Sequence, residues 1–235
     1  VYIYNMKPCF TCEKNPIKNG IYQAHLEKFA EKNLPKTNKQ YHNTGGKKIH
    51  IQGLKPNHII FYFATNERDF TKSIKQQTDA YNKLENSGVT KTDSNGEANV
   101  FLKCPQLYVN DDGEVYSRHF HFIYWNEKNG VWDKNLFTQQ ILCNVDWDFV
   151  HKYDKKAVVI DARPNEYYEK SHYQGAINMP FNKRWNEENV IAQLKNYKGD
   201  KMIPLILYCA KGCDAANKLY HKLDKLGFHN TMHAE

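Results

Sequence analysis

The residues of this chain best suited to covalent chemistry are two cysteines, Cys209 and Cys213, in the run Leu205-Ile-Leu-Tyr-Cys-Ala-Lys-Gly-Cys-Asp214. A cysteine reacts as its thiolate, and loop amides together with a helix N-terminus stabilise that anion. Cys209 follows the apolar run Leu205–Tyr208 and precedes a helical stripe of Ala216, Leu219, Tyr220, Leu223 and Leu226. This arrangement predicts a nucleophile at Cys209, with amides of Ala210, Lys211, Gly212, Cys213 and Asp214 turned toward its sulfur. The competing reading is a buried, unreactive cysteine. Cys213 fits two roles, a resolving thiol that attacks or pairs with Cys209, or a small apolar filler. Lys211 either supplies charge for an anion or is simply solvated.

Two further groups carry chemistry. Cys9-Phe-Thr-Cys12 is half a zinc site, a redox or sulfur-relay pair, or a plain loop. Only single residues, His25, His42, His50 and Cys104, could complete a zinc site. His119 and His121 lie two apart on a β-prone run, so their imidazoles share one face and could chelate. Neither group assembles a full ligand set. The chain is therefore expected to hold no metal and no cofactor, with Cys9, Cys12, His119 and His121 the only candidates.

Leu205–Tyr208 has the length and composition of a buried parallel strand, and Ala157-Val-Val-Ile-Asp-Ala-Arg163 predicts another. A short helix is expected around Asn165–Lys170. His172-x-x-Gly-Ala-x-Asn-x-Pro180 follows it. In this order, the strand ending Asp161-Ala-Arg163, the helix, the H-x-x-G-A-x-N-x-P segment and the strand–Cys209–loop–helix unit resemble the rhodanese family of sulfurtransferases. The resemblance covers about the last 90 residues, the size of one small α/β domain. It implies an open parallel sheet with helices on both faces. It also implies a persulfide on Cys209, taken from a sulfane donor such as thiosulfate and passed to a thiol acceptor. Loop residues 210–214 would hold the sulfur, with Asp161 and Arg163 in support. One departure stands out: Asp214 occupies a position where many active members carry arginine, and its charge would repel an anionic donor.

From Ile49 the hydrophobic period changes to two. Strands are expected at Lys48–Leu54, His58–Ala64, Tyr108–Val109, Arg118–Trp125 and Trp132–Cys143. A hairpin is expected over Gly88–Leu102 with Ser94-Asn95-Gly96 at its turn, and a helical or irregular stretch over Asp69–Glu85. Many short strands with close turns argue for a β-sandwich. Thr92-Asp-x-x-Gly96, Leu102-x-x-Pro-x-x-Tyr108 and His119-x-His-Phe122 resemble the transthyretin-like sandwich and its intradiol dioxygenase branch. That resemblance implies a non-haem iron held by a histidine pair and tyrosines. Tyr108 matches one such tyrosine; the sequence does not place the other.

The 235 residues are 40% hydrophobic and 25% charged, with six cysteines at irregular spacing. This describes a globular chain of two domains, without a secreted disulfide framework and with a reducing, cytoplasmic address expected. The net charge of +7 rests on scattered lysines, which indicates no nucleic-acid groove, and no apolar run reaches a membrane span. The organisation read here is an N-terminal segment (1–48) with the C-x-x-C and a short helix over Ile21–Lys32, a mainly β transthyretin-like sandwich (49–143), and an α/β rhodanese-like domain (144–235). The last lacks the closing turn implied by the resemblance, so the chain is read as part of a longer protein. Sulfur transfer is the first expected function. A non-catalytic binding or structural module, with a protein partner on the β domain, is the second. A metal-dependent β domain is the third.

Overall fold

The computed structural model describes residues 33–67, 77–109, 115–181, 186–195 and 203–235. The Cys9–Cys12 motif and the helix expected over Ile21–Lys32 lie outside the described residues. Two compact units form. Of the described residues, one comprises 33–67, 77–109 and 119–141, the other 115–118, 142–181, 186–195 and 203–235.

The first unit is mainly β. Its strands are β1 (Lys47–Ile51), β2 (Ile59–Ala64), β3 (Ser87–Lys91), β4 (Ala98–Leu102) and β5 (Tyr108–Val109). After β6 (Val115–Tyr116), which belongs to the second unit, come β7 (His119–Asn126), β8 (Val131–Trp132) and β9 (Phe137–Gln140). β3, β2 and β7 pair antiparallel in that order, and β8 and β9 both pair with β7. β1 and β4 form a separate antiparallel pair. Alternation along β2 sends Ile60 and Tyr62 to one face of the sheet and Phe61 and Phe63 to the other. Both sets are buried. Tyr62 reaches the β1–β4 pair, accepting from Phe101 N at 3.2 Å. The opposite face carries Phe63 directly across from His121.

The hairpin expected over Gly88–Leu102 is not formed. Its two strands exist, but β3 joins β2 while β4 joins β1. The connection is too long for a two-residue hairpin loop and is tied elsewhere. Thr92 Oγ1 donates to Lys55 O at 2.6 Å, and Leu54 N donates to Gly96 O at 3.0 Å. Gly96 has φ +75, and a Cβ there would stand 2.2 Å from Leu54 O, so glycine is required. The single strand expected at Trp132–Cys143 is also divided. Its polar middle, Asp133–Asn135, separates β8 from β9, and its last residue begins β10 (Cys143–Val145) in the other unit's sheet.

The second unit is α/β. Its strands β10, β11 (Val158–Asp161), β12 (Ile177–Asn178), β13 (Leu205–Tyr208) and β14 (Thr231–Ala234) form one parallel sheet in the order β10-β14-β13-β11-β12. Helix α1 (Gln77–Tyr81) lies in the β unit. Here the helices are α2 (Trp147–Tyr153), α3 (Asn165–Lys170), α4 (Glu187–Gln193) and α5 (Ala215–Lys225). β11 and β13 are buried along their whole length. Val158, Ile160, Leu205 and Leu207 share a core with Val190 and Leu194 at α4 and with Ala216, Leu219, Tyr220 and Leu223 of α5. Truncating Leu219 to alanine in such a core costs about 2–5 kcal/mol.

Cys104 and Cys143 each take part in a disulfide, whereas Cys209 and Cys213 are free thiols. The sequence reading assigned no disulfide to Cys104 or Cys143. Their irregular spacing gives no signal of a bond, because a disulfide depends on proximity in space. Among the described residues, no helix is long and apolar enough to cross a membrane.

Candidate functional site

Cys209 stands immediately after β13, half-buried, where the parallel strand ends. The loop turns at Gly212, whose φ of +76 is the left-handed region that glycine enters without strain. Cys213 N donates to Ala210 O at 3.0 Å and closes the turn. Lys211 is exposed.

The loop does not wrap Cys209 in amides as the sequence predicts. The Cys209 thiol points at two carbonyl oxygens, Cys213 O at 3.2 Å and Ala210 O at 3.5 Å. The first amides of α5 are divided between the two sulfurs. Ala215 N donates to Cys213 Sγ at 3.4 Å, while the Ala216 N–H faces Cys209. Burial pushes the Cys209 thiol up to about 11; the Ala216 amide opposes this, and the neighbouring Cys213 and Asp214 add to it. The expectation of a resting thiolate is corrected accordingly. A carbonyl oxygen stabilises an S–H, not an S⁻.

Cys213 is exposed, so the apolar-filler reading of this residue is corrected too. Asp214 begins α5 without capping it and pairs with Lys218 one turn on, Oδ2 to Nζ 2.6 Å. Asp161 is fully buried at the end of β11 and is held in a two-point pair with Arg163, Nε–Oδ1 3.0 Å and Nη2–Oδ2 2.6 Å. Arg163 also donates to Ser171 O at 2.6 Å and lies over the Tyr208 ring, 5.5 Å from its centre. This pair braces the strand ends beside the residue that precedes Cys209.

The β unit holds a second cluster. His119 and His121 project from β7 onto one face with ring centres 4.8 Å apart. His119 Nε2 lies 3.3 Å from Tyr81 Oη and 3.2 Å from Tyr108 Oη. All four side chains are buried. Thr65 and Asn66, at the end of β2, position the two tyrosines. Thr65 Oγ1 donates to Gln106 O at 2.8 Å beside Tyr108, and Asn66 N donates to Ala80 O at 2.8 Å beside Tyr81. His121 Nδ1 is 2.8 Å from Thr138 Oγ1, whereas its buried Nε2 has no hydrogen-bond partner. Burial and the neighbouring His119 hold the His121 imidazole well below its usual value, so it is neutral and its ring can offer a lone pair.

A metal fits this donor set. Two imidazoles and two phenols converge, and one ring nitrogen is buried without a partner, which otherwise costs about 1–3 kcal/mol. Among the described residues, no group of three His, Cys, Asp or Glu could hold a metal, but this cluster is half tyrosine. The sequence expectation of no metal rested on an incomplete ligand set, in which one tyrosine was unplaced. The structure brings Tyr81 and Tyr108 to the histidine pair, so that basis is removed.

Residues 148–234 match the family model of the rhodanese-like domain. Among solved structures, an uncharacterized protein from Saccharomyces cerevisiae is 22% identical, with a TM-score of 0.33 over 40% of this chain and 84% of its own. A single-domain sulfurtransferase from the same organism is 16% identical, with a TM-score of 0.30 over 41% of this chain and 85% of its own. No curated protein matches the chain.

Proposed function

We propose, starting from the rhodanese-like domain at residues 148–234, that this chain transfers sulfane sulfur through a persulfide on Cys209. The observation that supports it most is the placement of a free thiol at the carboxyl end of a central parallel strand, against the first turn of α5. That is where open α/β sheets bind their ligands. In the first half-reaction the Cys209 sulfur attacks the outer sulfur of thiosulfate; the S–S bond breaks and sulfite leaves with its electron pair. In the second, an acceptor thiolate takes the outer sulfur and Cys209 returns as a thiolate. The resting thiol must first lose its proton, and burial, which pushes it up to about 11, works against that step. Asp214 works against an anionic donor, and its ion pair with Lys218 offsets part of that repulsion. The test is intact mass after treatment with a sulfane donor, the added sulfur being mapped to Cys209. No added sulfur with several donors would leave a binding module that keeps the fold without turnover.

A specific observation favours a second activity in the β unit. Tyr81, Tyr108, His119 and His121 form a donor set suited to ferric iron, since phenolate oxygens favour the harder ferric ion and imidazole accepts iron readily. This agrees with the sequence resemblance to the transthyretin-like sandwich of intradiol dioxygenases. Bound there, iron would supply Lewis-acid and redox chemistry. The four residues are buried, with the histidine pair carried on β7 and the two tyrosines held beside the end of β2. Metal analysis of the purified chain tests it: about one iron per chain is expected, lost in His121→Ala. Iron absent after reconstitution with ferrous salt in air would refute it.

A further inference from the structure

We infer that Cys213 is the resolving thiol of the Cys209 loop, expelling sulfide from the Cys209 persulfide and leaving a Cys209–Cys213 disulfide. This rests on the persulfide reading above. Three observations carry it. The Cys213 sulfur, not that of Cys209, accepts the first amide of α5, an eleven-residue helix, so an anion at Cys213 is stabilised by the helix start. The Cys209 sulfur lies against residue 213, with its thiol donating to Cys213 O at 3.2 Å. The loop between them is exposed and hinges on Gly212 in open space, so packing does not oppose the approach of the two sulfurs. The ring of amides that would be lost on leaving the resting position is not present around Cys209.

The step balances without an outside oxidant. The Cys213 thiolate attacks the inner, Cys209 sulfur of Cys209–S–SH. The inner–outer S–S bond breaks and the outer sulfur departs with the electron pair as hydrosulfide. A new bond joins the two cysteine sulfurs. The sulfane sulfur is reduced to sulfide while the two cysteines are oxidised to a disulfide. A thiol reductant then returns the loop to its starting state. The loop would thus release sulfide where no acceptor thiol competes.

The test uses the full chain, reduced and freed of reductant, in two arms. In the first, wild type and Cys213→Ser are treated with thiosulfate without an acceptor thiol. Cys213→Ser should keep one added sulfur on Cys209 and release no sulfide. Wild type should release one equivalent of sulfide and show a Cys209–Cys213 bridge by peptide mapping. In the second arm, Cys209 is converted to a mixed disulfide with an aromatic disulfide reagent. Wild type should expel the aromatic thiol and form the same bridge, whereas Cys213→Ser should retain the adduct. A wild-type persulfide as long-lived as that of Cys213→Ser overturns the inference and leaves the sulfurtransferase reading standing. A bridge in the second arm with no sulfur on Cys213→Ser in the first overturns the sulfurtransferase reading, and with it the release of sulfide. Absence of the bridge in both arms overturns the resolving role outright.

Discussion

The two candidate sites of this chain are built on opposite principles. In the β unit, four rings are buried, and each is fixed by an element of regular structure or by hydrogen bonds to the end of β2. In the α/β unit, two sulfurs lie on a short, exposed loop that opens at a strand end. Burial keeps His121 neutral, which suits a metal ligand. Burial of half of Cys209 keeps it a thiol, which works against a nucleophile. The same desolvation therefore prepares one site and restrains the other. A ligand site needs its groups fixed before the ion arrives, whereas a sulfur carrier has to change its protonation and its partners within each cycle.

The sharpest way to break this comparison is to delete one site and read the other. Cys209→Ser should reduce sulfur transfer to background while iron content stays that of wild type. Tyr81→Phe or His121→Ala should do the reverse, removing bound iron and any phenolate-to-iron absorption while sulfur loading at Cys209 persists. Loss of both activities in any one of these variants would contradict independent sites. Circular dichroism separates that outcome from unfolding.

A smaller effect concerns the thiol itself. Alkylation of Cys209 by iodoacetamide, followed by peptide mapping, should accelerate about tenfold per pH unit from pH 7 to 10, because only the thiolate reacts. A plateau near pH 8 would show that Cys209 is already ionised. Asp214→Asn should move the profile to lower pH, since the Asp214 charge raises the thiol. The smallest effect is on the donor. Asp214→Arg should lower the Michaelis constant for thiosulfate by less than about fivefold, the equivalent of about 1 kcal/mol at this partly exposed position. An unchanged constant would mean that the Lys218 pair already neutralises Asp214.

The elements that run locally along the chain were legible. β11, β13 and α5 each announce themselves by an apolar run or stripe, and the order of the Asp161, His172 and Cys209 segments carries the rhodanese resemblance. Pairing across the chain was less so. The Thr92–Glu97 turn looks like a hairpin because nothing local reveals that Thr92 and Gly96 bind back to Lys55 and Leu54. Tyr81 was missed for the same reason. It reaches His119 only because Asn66 holds the end of α1 to the end of β2, and the chain between them carries no pattern that points there. In the Cys209 loop the sequence reading placed the thiol but not the direction of its neighbours. Peptide planes in a five-residue turn can present N–H or C=O inward with the same composition, and here two carbonyls face the sulfur.

The central claim is that Cys209 carries sulfur. It is tested most directly by intact mass of the full-length Cys213→Ser chain after thiosulfate treatment, since this variant retains the carrier thiol without the neighbouring sulfur that would intercept a persulfide. The account predicts a gain of one sulfur atom, mapped to Cys209 and removed by an added thiol with return to the starting mass. An unchanged mass across a range of sulfane donors, under conditions where iodoacetamide does reach Cys209, would contradict it.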